Sequence, residues 1–181
     1  MRVAPGLLAV VLLAGGCTAD GQASAPVTLP FAAAGEIVGR NGSTMRITPR
    51  GVVYWKGFDD AKPSAKWFLL VAYRVETTGT VDHIPAATPN GGLFWTKGEQ
   101  AVTRMQGNVR TLPWTGYIKD VASVDIPADG HADYVQSLDV PERGGTLVYT
   151  GQDGRQLRWP LPEQDSGEGT DEVIEYIKHA Y

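Results

Sequence analysis

Three aspartates, Asp125, Asp129 and Asp133, crowd one stretch of the chain beside Gly130, and a second acidic pair, Asp59-Asp60, follows Gly57. Such clusters suggest a divalent cation. A calcium loop, however, needs oxygen ligands at alternating positions of a helix-loop-helix, and the spacing here does not supply them. Asp129-Gly130 already reads as a turn, so no metal is expected. The three histidines, His83, His131 and His179, could feed a Ser/His/Asp site only on paper. No G-x-S-x-G elbow, H-E-x-x-H pair, Walker loop or dinucleotide fingerprint accompanies them. The expectation is a protein with no catalytic residues and no cofactor. Five tryptophans leave one further chemistry, stacking on a sugar. Trp55, Trp67 and Trp159 fall on faces that read as core, whereas Trp95 and Trp114 lie near loops and are the candidate ligand-binding pair.

Cys17 is the single cysteine. It rules out an internal disulfide framework and any thiolate metal cluster. It ends a short basic start, Met1-Arg2, followed by an apolar run from Val3 to Ala14 that is too short to span a bilayer but suits the core of an export signal. Leu13-Ala14-Gly15-Gly16-Cys17 resembles a bacterial lipobox, although Ala14 stands where leucine is usual. The resemblance implies cleavage before Cys17, lipidation of its sulfur and amine, and firm attachment to a bilayer, which one acyl chain alone does not give. Residues 1–16 are then a lipoprotein signal peptide. In a bacterium the Asn41-Gly42-Ser43 acceptor pattern is read as unmodified.

The remainder is ordinary globular composition. The 181 residues are 43% hydrophobic and 20% charged, with a net charge of −4. The acidic balance argues against nucleic acid as a partner. Length suggests one domain. Gly 22 and Pro 12 suit many short strands joined by turns.

Residues 17–30 are small, polar and aperiodic, a lipidated tether that reaches on the order of 20 Å. Residues 31–162 hold strand-like runs at the spacing of a sandwich or barrel. In Trp67–Glu76 one face is apolar throughout, and the other only at its start, as for a central strand partly covered on its back. Parity predicts two hairpins with three-residue loops. In the first, Ile126 faces Ala132 with Gly130 at positive φ. In the second, Tyr149 faces Leu157 and Leu147 faces Trp159, with Gly154 at positive φ. Residues 163–181 read as an acidic linker and a short helix capped by Thr170. Its apolar stripe of Val173, Ile174, Ile177 and Tyr181 must dock, since so short a helix is unstable alone.

Three stretches carry a family resemblance: Lys66 to Gly79 as a long strand ending in a polar bend, Val124 to Gly130 as a proline-glycine turn, and Tyr134 to Pro141 as the strand after it. In order, they are similar to the immunoglobulin-like extracellular domain of Gram-positive, actinobacterial-type surface lipoproteins, related in fold to the immunoprotective extracellular proteins. Leu138 replaces the usual aromatic, and Thr77 stands where asparagine is common. The resemblance implies an all-β protein, an antiparallel immunoglobulin-like β-sandwich with a short C-terminal helix, on the outer face of the cell membrane. It implies no chemistry. The expected role is binding, with an envelope protein as partner; a glycan or small molecule held by exposed aromatics is the alternative, and a wall-acting hydrolase a third.

Overall fold

In the computed structural model the described residues are 25–58, 62–84, 92–103, 118–119 and 125–180. Their elements are β1 (Val27–Thr28), β2 (Gly35–Val38), β3 (Thr44–Trp55), β4 (Trp67–Thr78), β5 (Asp82–His83), β6 (Gly92–Lys97) and β7 (Gln100–Val102). There follow β8 (Ile118–Lys119), β9 (Asp125–Ile126), β10 (His131–Val140), β11 (Thr146–Thr150), β12 (Gln156–Pro160), β13 (Ser166–Gly167) and the helix α1 (Thr170–Ala180). The protein is mostly β with one short C-terminal helix.

One sheet runs β1-β12-β11-β6-β7, a second runs β13-β3-β4-β10-β8 with β2 also on β3, and β5 pairs with β9. The two large sheets share one core. Leu93, Trp95, Leu147, Tyr149, Leu157 and Trp159 from the first meet Ile47, Leu69, Val71, Tyr73 and Tyr134 from the second. Most pairings are antiparallel. The exceptions are two edge strands of two residues each, β1 on β12 and β8 on β10, which run parallel.

Odd-numbered residues of β4 point into this core, as the alternation predicts. Its even-numbered residues face outward, and α1 covers two of them, Leu70 and Ala72. Val173 of α1 packs with Val53, Leu70, Ala72 and Val135, joined by Trp55, Ile174 and Ile177. The apolar start of the back face therefore lies under the helix, while Arg74 and Glu76 beyond it stay polar.

The long strand β3 carries a bulge between Pro49 and Gly51. Arg50 is the extra residue, and the parity of the strand flips across it. Met45 and Ile47 face the core before the bulge; Val52 and Tyr54 do so after it, which turns Val53 and Trp55 to the outer face. Trp55 consequently packs with Phe58 and Phe68 at 4.9 and 5.5 Å between ring centroids, not on the core face expected.

Of the two predicted hairpins one forms. Tyr149 faces Leu157 and Leu147 faces Trp159; Gly151 N–H donates to Arg155 O at 3.0 Å, closing the loop Gln152-Asp153-Gly154 with Gly154 at φ 76°. The other is corrected. Strand β10 pairs along its whole length with β4, from His131↔Glu76 to Val140↔Trp67, and takes β8 on its other side. Ile126 pairs with Asp82 instead of Ala132. The left-handed residue of that turn is Asp129, at φ 52°, not Gly130. Gly130 N–H donates to Pro127 O at 3.1 Å, so Asp129 is the third residue of the turn, and its Oδ1 accepts from Gly79 N–H at 3.0 Å. Thr77 holds the same turn by donating its hydroxyl to Pro127 O at 2.5 Å.

The segments read as tether and linker also contribute structure. Residues 27–28 form β1 and residues 166–167 form β13 on the edge of β3. Asp165 Oδ1 accepts from Tyr54 N–H at 2.8 Å. The first helical bond runs from Val173 N–H to Gly169 O, one residue before the predicted cap, and Thr170 donates its hydroxyl back to Gly167 O.

Candidate functional site

At the end of the sheets where β2 turns into β3, a polar knot closes on Asp82. Its carboxylate is wholly buried. Oδ2 accepts from the Ser43 hydroxyl at 2.7 Å and from Asn41 N–H at 3.0 Å, and Oδ1 accepts from His83 N–H at 2.8 Å. Burial pushes the carboxyl pKa up. The hydrogen bonds from Ser43, His83 and Asn41 outweigh it and hold the group below its ordinary value. Gly39 is required here: a Cβ at that position would lie 2.1 Å from Asp82 Oδ2. Asn41 Nδ2 donates to Val81 O at 3.0 Å, so the tripeptide Asn41-Gly42-Ser43 fastens two connections together.

Ser43, His83 and Asp82 are thus neighbours, yet their geometry is not that of an activated serine. A nucleophilic hydroxyl gives its proton to the imidazole, which the carboxylate orients. Here the buried Ser43 hydroxyl donates to the carboxylate directly, and the His83 ring Nε2 faces Arg40 at 3.3 Å. Asp82 had no motif to announce it, because its role arises only when residues distant in sequence meet.

The aspartates that could suggest a cation do not converge. Asp125 is exposed on β9 and Asp129 holds its turn. Asp133 lies on the outer face of β10, taking Arg74 Nε at 2.8 Å and Nη2 at 2.7 Å, with Arg50 Nη1 at 3.6 Å. The Arg74 fork, chiefly, holds its carboxyl below the ordinary value. Among the described residues, no three His, Cys, Asp or Glu side chains gather as a metal site would need. Asp59-Asp60 lies outside the described residues.

The expected aromatic pair is corrected at Trp95. Its side chain is wholly buried, and Nε1 donates to Gly144 O at 2.7 Å. It is core, because β6 lies between β11 and β7 in the five-stranded sheet and places it opposite Leu147, and it has no face to offer a sugar. Trp114 and Cys17 lie outside the described residues.

At the opposite end of the sheets the arrangement is cationic and aromatic. Trp67 opens β4 only partly buried. Lys56 Nζ lies 4.9 Å from its ring centroid and the Arg143 guanidinium 4.3 Å; the same guanidinium is 5.3 Å from the Tyr54 ring. Tyr54 fixes this corner, donating its hydroxyl to Pro162 O and accepting from Gly144 N–H, both at 2.9 Å. Its phenol is pushed up to about 12, chiefly by burial. Nearby, Asp139 accepts from Ser64 N–H at 2.8 Å and from the Ser64 hydroxyl at 2.5 Å, pinning the residues before β4 across the outer face.

Comparison of this chain with protein families, curated proteins and solved structures finds no match. Among the described residues, no helix is long and apolar enough to cross a membrane.

Proposed function

We propose that this chain is an exported lipoprotein, held through Cys17 on the outer face of a cell membrane, whose immunoglobulin-like β-sandwich works without catalysis by binding another component of the envelope. The observation that carries the reading is the direction of the first strand. β1 runs parallel to β12, pairing Val27 with Leu157 and Thr28 with Arg158, so the chain enters at the end bearing the turns 39–43 and 151–155. Cys17 precedes that point by ten residues in the sequence. A single attachment at one end suits a domain displayed from a bilayer.

The docked helix narrows where a partner would bind. Val173 is fully buried and Ile174 and Ile177 are partly covered by the chain's own sheet, so that part of the stripe is engaged within the chain; Tyr181 lies outside the described residues. The edges of the sheets and the two ends remain.

Fractionation of cells carrying the native chain or Cys17→Ala, with mass spectrometry of the N-terminal peptide, tests the anchor. The native chain is expected in the membrane fraction, beginning at an acylated Cys17, with the variant released. Equal partition of the two would overturn the reading.

A further inference from the structure

We propose that Trp67, Lys56 and Arg143 form a binding site for an anionic saccharide, a glycan whose sugars carry carboxylate or phosphate groups, at the end of the molecule remote from the tether. Both cationic centres lie within 4.9 Å of one indole centroid. Among the described residues neither forms an ion pair. An oxyanion reaching this corner would meet two cations that have no ion-pair partner among the described residues.

Among the described residues, the neighbouring carboxylates form no ion pair with these two cations. Glu142 is engaged by Lys97 at 2.9 Å, and Lys97 also donates to Arg143 O at 3.1 Å. Glu163 supplies its backbone oxygen to Arg143 Nη1 at 3.4 Å, while its side chain packs against Gly144. The Arg143 guanidinium is held over Trp67 and Tyr54, and its Nε is enclosed without a hydrogen-bond partner among the described residues. A side chain already immobilised loses less entropy on binding.

The guanidinium offers a planar fork and the lysine a point charge, the two donor types that recognise carboxylates and phosphates. The exposed part of the indole adds an apolar surface for the C–H face of a sugar ring. A nucleic acid is a poorer fit to a chain of net charge −4.

This site deepens the binding reading but does not need the anchor, so the two fail separately. The test is calorimetric binding of the full-length chain, in neutral detergent, to three matched probes: oligogalacturonate, a phosphodiester-linked oligosaccharide and neutral dextran. The expected result is binding of one or both charged probes and none of dextran, with affinity falling as salt rises; which charged probe binds identifies the anion. Lys56→Gln, at an exposed position, is expected to weaken binding about fivefold with unchanged thermal unfolding. Arg143→Lys keeps the charge but loses the fork, and is expected to cost about tenfold. Equal binding of dextran, binding of neither charged probe, or unaltered affinity in Lys56→Gln would each overturn the proposal. Should Arg143→Lys disturb the fold, Lys56→Gln decides alone.

Discussion

The Ser43 hydroxyl donates to Asp82 at 2.7 Å inside an end of the protein where both side chains are buried. This bond joins the β2–β3 turn to the segment after β4.

Acid should loosen this end first. The Asp82 carboxyl titrates below its ordinary value in the folded state, so its contribution is present above the unfolded carboxyl range near about pH 4 and is lost as pH falls through the folded value. Asp82→Asn is expected to lower stability at pH 7 by about 1–3 kcal/mol and to flatten the decline between pH 5 and 2. Urea unfolding across that range measures both, and an undiminished acid slope in the variant would count against the assignment.

Two glycines with similar backbones should respond differently. Gly145 has φ 83°, and a Cβ there would lie 2.4 Å from Trp95 Nε1 and 2.8 Å from Thr96 O; Gly154 has φ 76° with open space around it. Gly154→Ala is expected to cost about 1 kcal/mol, the penalty of a left-handed alanine. Gly145→Ala adds the clash and is expected to cost at least about 3 kcal/mol. Thermal unfolding of the pair distinguishes conformational strain from collision.

Removing one oxygen should reveal how firmly the Trp67 corner is held. Tyr54→Phe leaves Gly144 N–H without its acceptor and Pro162 O without its donor, at an expected cost of about 1–3 kcal/mol. Hydrogen exchange at Gly144 is expected to quicken in step. Unchanged exchange would mean that Gly144 is protected by something other than the phenol.

The helix should matter through its inner face only. Val173→Ala uncovers a fully buried contact with Leu70 and Ala72 and is expected to cost about 2 kcal/mol. Tyr176→Ala, at a position 40% exposed, is expected to stay within about 0.5 kcal/mol. Similar losses from both would show that the helix contributes by some route other than packing.

Legibility in the sequence followed the distance between partners. The β11–β12 register could be read because the loop is three residues long, so parity alone sets which side chains meet. The same argument failed at Ile126, since β10 pairs along its length with β4 and Ile126 itself pairs with Asp82, both distant in sequence. Trp55 was misplaced for a different reason: one extra residue, Arg50, reverses the alternation, and a bulge has no strong local signature.

The candidate site shows the same division. Trp95 looked accessible because it lies beside a turn, yet its place in the middle of a sheet buried it. Trp67 read as a core residue because its strand alternates so clearly, yet its position at the strand end leaves it partly open beneath Lys56 and Arg143. By itself the sequence determined the periodicity of β4, the β11–β12 hairpin and the apolar stripe of α1, all of which are short-range patterns. Only the tertiary structure decided that the stripe docks on the outer face of β3, β4 and β10, that Asp82 is buried under Ser43, and that two cations share one indole. Those relationships depend on which distant segments meet, and burial, hydrogen bonding and charge are properties of the meeting, not of either segment alone.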